Sequence, residues 1–254
     1  MTVLMIAASM LLLFMAVPVF LVFGAGSASA AILDLNLPWS TLIQVSYAAI
    51  TKPVLIAIPL FIFSGLAMLR GGIASRLVNM ATALVGHWPG GLAISMVLTM
   101  GFFAAFCGSI LAAITAVGTI MMPKMIEQGY PAPFVIVLAA SAALLEALIP
   151  PSNAAIVFSA LTSVPVSKTF AAGILPGLVL MILLMALAVW RCRHIRMTRK
   201  ASRAEIIEAV KAAIPGLVTP VIILGGIYGG LLTPSETAAV AGVWAVFIGF
   251  VVHR

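Results

Sequence analysis

Apolar runs of 16 residues and more recur along the whole chain, separated by short polar or basic stretches. That pattern predicts a series of membrane helices. Residues 1 to 33 carry no charge, which is too long for one span and short for two, and Pro18 in their middle predicts two short helices turning near Val17–Pro18. A weakly acidic loop, LDLNLPW, follows. Residues 40 to 69 read as the next span, broken or kinked at Pro53 and Pro59. In RGGIASRLVNMATALVGHWPGG, Ile73, Leu77, Met80 and Leu84 recur at helical spacing opposite Arg70, Arg76 and Asn79. That pattern predicts a helix lying along the cytoplasmic membrane surface.

Residues 91 to 122 are 32 uncharged positions with FCGSI near the centre, flanked by Arg70 and Arg76 on one side and Lys124 on the other. Basic flanks on both sides predict entry and exit by the same face, hence a re-entrant hairpin with its tip near Gly108–Ser109. EQGYPAP is the next loop. Residues 134 to 164 form an apolar stretch interrupted by Glu146, Pro150–Pro151 and Ser152–Asn153, and 169 to 190 form an uninterrupted span. A basic linker, 191 to 213, leads to two apolar helices, 214 to 232 and 236 to 252, joined at LTPSE. This last pair resembles the first: each turns at a β-branched residue plus proline, Val17–Pro18 and Thr233–Pro234. A second copy of the fold is therefore expected to begin near Ile214. Residues 1–213 are the first repeat, with scaffold helices in 1–87, and 214–254 are the first two helices of a truncated second one.

Composition narrows the class. Hydrophobic residues make up 64% and charged residues 7%, far from the soluble norm of about a quarter charged. The fold class is all-α and polytopic, since no alternating strand pattern of an outer-membrane barrel is visible. The net charge of +7 does not indicate nucleic acid: seven of the thirteen basic residues lie between Arg191 and Lys211, directly after an apolar span. Such a block marks a cytoplasmic loop beside anionic lipid. With that loop inside, counting passes puts Met1 outside and Arg254 inside, and gives the two copies opposite orientation, as in inverted-repeat secondary transporters. The first apolar run lacks a basic n-region and a cleavage site, and reads as a retained span. Cys107 and Cys192 form no CxxC and no disulfide framework. GxSxG, HExxH, Walker and GxGxxG motifs are all missing, so the sequence presents no catalytic constellation.

One region carries chemistry. Pro150 and Pro151 remove two backbone donors and unwind the helix, freeing carbonyls that hydrocarbon cannot satisfy. A cation can satisfy them, with the Ser152 hydroxyl and the Asn153 carbonyl as further hard oxygens. The half-helix starting near Ser152 turns its positive end to the same spot, which suits a carboxylate. The competing reading is a proline kink with Ser152 and Asn153 bonded to the backbone. The second discontinuity at Gly108–Ser109 favours a site, because two breaks can meet at mid-membrane. Glu146, one turn before the prolines, is a membrane acid that either joins that site or pairs within the bundle. Thr115 and Ser141 are expected to bond their own i−4 carbonyls.

The segments GSILAAITAVGTIMMPKMIEQGY, IPPSNAAIVFSALTSVPVSKTFAAGILPGL and TPVIILGGIYGGLLTPSETAAVAGVWAVFIGFVVHR resemble the large membrane subunit of the tripartite ATP-independent periplasmic (TRAP) transporters, DctM-like. The resemblance covers essentially the whole chain. It implies an elevator-type permease of the bacterial inner membrane that takes up a C4-dicarboxylate or other organic acid with sodium as coupling ion and no cofactor. It also implies two partners, a DctQ-like small membrane subunit and a DctP-like periplasmic solute-binding protein. Carried over by residue, Gly108 and Ser109 at the hairpin tip and Pro150, Pro151 and Ser152 at the break would hold the cation, with Ser152 and Asn153 toward the substrate. This chain departs from the family pattern at Cys107, Ile110 and Glu146–Ala147. The alternative is a non-transporting scaffold or assembly subunit, or a truncated remnant of such a permease.

Overall fold

A computed structural model describes residues 2–33, 36–195 and 200–252. Residues 34–35 of the acidic loop, 196–199 of the basic block and the chain ends lie outside that description. The described residues are helical with no strand, and four helices are long and apolar enough to cross a membrane, or five counting the broken stretch as one span. This is an all-α polytopic membrane protein.

The chain divides into two compact units, Met1–Lys52 and Pro53–Arg254. In the first, α1 (Thr2–Phe14) and α2 (Val19–Leu33) flank the turn read at Val17–Pro18, and α3 (Trp39–Ile50) follows. A Cβ on Gly26 of α2 would lie 2.9 Å from Ser9 Oγ of α1, so small residues bring the two helices together.

The second unit starts with a 3₁₀ turn, Pro53–Ile56, that leads into α4 (Ala57–Arg70). The chain breaks at Pro53 as expected. Pro59 breaks nothing, because it falls in the first turn of α4, where the missing N–H has no partner to lose. Helix α5 (Ile73–Val85) buries Ile73, Leu77 and Met80, the stripe read from the sequence, but leaves Leu84 exposed. Its Arg76 donates to Ala212 O (3.5 Å) of α13 (Arg203–Tyr228), and Gly216 of α13 packs on Ile73. The basic linker is expected to run to 213, yet α13 begins at Arg203, eleven residues before Ile214. A capping box explains this: Glu205 N–H donates to Ser202 Oγ (3.2 Å) and Ser202 N–H to Glu205 Oε2 (2.7 Å). At 26 residues α13 is about 39 Å long against roughly 30 Å of hydrocarbon, a surplus that matches its charged first turns, with Arg203, Glu205, Glu208 and Lys211. The last helix, α14 (Pro234–Val252), lies along α4 and ties Trp244 Nε1 to Pro215 O (3.2 Å).

Between these elements sit the two interrupted segments. Helix α6 (Gly91–Cys107) ends at Gly108, and the return arm comprises α7 (Ile110–Ala113), a π-helical turn Ile114–Gly118 and α8 (Thr119–Glu127). Then come α9 (Ala132–Ala143), the single turn α10 (Leu145–Leu148), the break, α11 (Asn153–Thr162) and α12 (Val166–Cys192). The base of the hairpin is closed at one end of the unit. Buried Tyr130, just past α8, faces the first backbone N–H groups of α6, at Leu92 and Ala93, and burial pushes its phenol up to about 12. Gly90 N–H donates to Ile195 O (2.9 Å), and a Cβ on Gly90 would lie 2.8 Å from Ala188 O of α12. Both arms of the hairpin therefore start and finish beside the C-terminal end of α12.

Candidate functional site

The hairpin tip is built by two residues of opposite backbone character. Gly108 takes the left-handed conformation (φ 64°, ψ 19°), which glycine adopts without a Cβ penalty, and Ser109 is extended (φ −133°, ψ 110°). The Ser109 side chain makes no capping hydrogen bond to α7. Four residues of helix after Ser109 give way to the π-helical turn, where Thr115 Oγ1 donates to Leu111 O (2.7 Å), the back-bond expected of it, whereas Ser141 of α9 does not make the one expected there.

The second discontinuity falls where the double proline requires. Ile149 (φ −79°, ψ 125°) and Ser152 (φ −118°, ψ 122°) are both extended, the Pro150–Pro151 peptide is cis, and the helices on either side are bent by 40°. Ser152 is fully buried and caps α11: its Oγ accepts from Ala155 N–H (3.3 Å) and donates to Ala147 O (2.8 Å). The hydroxyl thus satisfies one backbone group on each side of the break, and one lone pair is left over.

The two breaks meet. A Cβ on Gly108 would stand 2.6 Å from Pro151 O and 3.5 Å from Asn153 Oδ1, so only glycine allows this approach. Asn153 Oδ1 is buried and has no hydrogen-bond partner. Glu146 is 1% exposed, and neither of its carboxylate oxygens makes a hydrogen bond. The carboxyl group is directed at the Ser109 and Gly108 backbone N–H groups without closing a bond on either, and Cys107 is its titratable neighbour. Gly108 is thus the common neighbour of Pro151, Asn153 and Glu146. Buried oxygens without donors are costly in low dielectric. A hard cation, which binds through oxygen, fits this donor set.

Three glycines that sequence reasoning passed over hold the site in place. Gly173 and Gly177 of α12 form a groove for the break: a Cβ on Gly173 would collide with Leu148 O, and one on Gly177 would stand 2.9 Å from Ile149 Cγ1. Their G-x-x-x-G spacing was the available signal. Gly65 of α4 lies against the tip, where a Cβ would be 2.5 Å from Cys107 Sγ. Beside it, Ser64 Oγ is another buried, unpartnered oxygen.

The comparisons with known proteins agree with one another. The family model for the DctM component of the tripartite ATP-independent periplasmic transporters matches residues 4–254. A C4-dicarboxylate TRAP transporter large permease protein DctM of Pseudomonas aeruginosa is 44% identical over 79% of this chain and 47% of its own length. The isethionate TRAP transporter permease protein DctMQ of Oleidesulfovibrio alaskensis is 36% identical over 96% of this chain and 39% of its own. The ectoine TRAP transporter large permease protein TeaC of Halomonas elongata is 39% identical over 84% and 51%. The chain spans roughly half the length of the curated relatives it matches.

Proposed function

The chain belongs to the DctM family of TRAP transporter large permeases, and we propose that it forms the first-repeat part of a permease coupling sodium entry to uptake of an organic anion. The observation that carries this reading is the meeting of two helix breaks at Gly108 and Pro151, beside the unpartnered oxygens of Asn153 and Glu146. Sodium is cargo here, bound from Gly108, Ser109, Pro150, Pro151 and Ser152 on the two breaks, with Asn153 Oδ1 added. The substrate carboxylate is held at the N-terminus of α11, near Ser152 and Asn153, where free N–H groups and the helix dipole favour negative charge. Relatives named for C4-dicarboxylates, isethionate and ectoine support an organic substrate bearing an anionic group, of which a carboxylate suits this helix end.

The inverted-repeat, elevator-type organisation belongs to the same reading. Closure of both hairpin arms at one end of α12 supports re-entry from a single membrane face. The lysines and arginines gathered between Arg191 and Lys211 support that face being cytoplasmic, in the bacterial inner membrane. Sites so placed are reached from the periplasm only after a solute has been captured, which is the task of a periplasmic binding protein working with the small membrane subunit. Proteoliposomes carrying the full-length permease with both partners test the reading. Replacing external sodium by choline should abolish uptake of a labelled C4-dicarboxylate, and leaving out the binding protein should reduce it strongly at low micromolar substrate. Uptake indifferent to sodium would overturn the coupling. No uptake under any condition would favour the non-transporting scaffold.

A further inference from the structure

Helices α4 and α14 come from distant stretches of the chain and lie side by side, running parallel. At one end Ser235 Oγ donates to Pro53 O (2.8 Å), and at the other a Cβ on Gly71 would stand 3.7 Å from Gly249 Cα. Toward that second end the pair opens into a groove of about 560 Å³. Its floor is made of small residues, Ala67 and Gly71 on α4 and Ala245 and Gly249 on α14. Its rim is large and exposed, with Phe63, Leu66 and Phe250. A Cβ added at Gly249 would meet nothing within 4 Å, so this glycine faces the open space of the groove.

One charged side chain lines the groove. Arg70 is exposed in the last turn of α4 and, among the described residues, has no ion pair and no hydrogen bond. From Pro53 to Ile126 the chain has no acid, and the single acid of α14, Glu236, sits in its first turn beside Pro53, at the far end of the pair. Neither wall of the groove, nor α5 after it, therefore offers Arg70 a counter-charge. An apolar trough with one unpaired cation at its mouth complements an amphiphile with an apolar tail and an anionic head. A partner helix would have to bring an acid to this level, whereas the cytoplasmic leaflet presents anionic headgroups there throughout. We propose that the groove between α4 and α14 binds one anionic glycerophospholipid, with an acyl chain along the small-residue floor and the phosphate on Arg70. The guanidinium fork suits phosphate oxygens, while its stem stays on apolar surface. Because the two walls are far apart in sequence, the bound lipid braces the contact between them. This goes beyond the transport reading and does not depend on sodium.

The test uses the full-length permease in neutral detergent, freed of native lipid and without sodium. Added dioleoyl phosphatidylglycerol should raise the melting temperature, as a ligand of the folded state does, and should remain bound in native mass spectra. Phosphatidylcholine with the same chains should bind about fivefold more weakly, the weight of one basic residue facing an anionic headgroup. Glycerol phosphate, which has no chains, should do neither. Arg70→Gln should reduce phosphatidylglycerol to the level of phosphatidylcholine, and Arg70→Lys should keep the preference. Gly249→Leu should fill the groove and abolish the lipid-dependent rise, with the lipid-free melting temperature no lower than that of the wild type. A preference for phosphatidylglycerol unchanged in Arg70→Gln, or a lipid response unchanged in Gly249→Leu, overturns the proposal. So does a response to glycerol phosphate equal to that of the lipid, or no response to any lipid. If Gly249→Leu does not accumulate, a photo-cross-linker at Leu66 in cells decides: it should capture phospholipid, and adducts to protein alone, the small membrane subunit included, overturn the site.

Discussion

The hairpin tip and the double-proline break interrupt helices in opposite ways. At the tip, a single left-handed glycine redirects the chain, and the following Ser109 leaves α7 uncapped. At the break, two prolines unwind the helix, and Ser152 repairs the damage by capping α11 and holding Ala147 O. One interruption leaves its polar groups open, whereas the other has already satisfied part of its own. The serine with the more ligand-like free hydroxyl is thus Ser109, while Ser152 has a structural duty as well. Proline creates orphan groups on both sides and needs a local remedy. A glycine turn removes no backbone donor and can leave its hydroxyl for a guest.

The comparison can be broken most severely at Gly108. Valine there would add left-handed strain of about 1–2 kcal/mol and drive a branched side chain into Pro151 O, for which even a Cβ is too close at 2.6 Å. The two breaks should separate, and sodium-dependent uptake should be lost with a fall in melting temperature of the purified permease. Retained uptake would show that the approach of the breaks has no role.

The two serines sharpen the comparison. Ser152→Ala removes a cap and should cost about 1 kcal/mol of stability, seen as a lower melting temperature, besides weakening sodium binding. Ser109→Ala loses no cap and should leave the melting temperature unchanged, while raising the half-saturating sodium concentration about five- to thirty-fold, the worth of one ligand bond of roughly 1–2 kcal/mol. Equal thermal shifts in the two variants would erase the distinction. The smallest effect is expected at Thr115→Val, within about 0.5 kcal/mol, since that hydroxyl only bonds its own preceding turn.

Much of this was readable in the residues. Proline pairs and a polar interruption in an apolar run have few structural outcomes, so both breaks, the short helices about Pro18 and the span to Cys192 follow from local chemistry. What escaped depended on what lies across a contact. That Gly173 and Gly177 receive the break is a property of α12 and α10 together: their G-x-x-x-G spacing marks a helix contact but does not name what packs there. Ser152 could be read as ligand or as cap, and its cap bonds depend on where Ala147 O and Ala155 N–H fall after unwinding. Pro59 was misjudged because a proline's effect depends on its distance from a helix start. Residues 203–213 were placed in a linker because their charges hid the Ser202–Glu205 cap.

The closure at the hairpin base also has a consequence in time. Tyr130 leaves the ribosome 65 residues before Ile195, whose carbonyl receives Gly90 N–H. At roughly 5–20 residues per second, that gap lasts about 3–13 s. During it the two arms have been synthesised but lack the strut that holds their roots. A newborn hairpin has to wait with its roots unjoined until α12 arrives, and a chaperone or insertase able to shelter it has that interval in which to act.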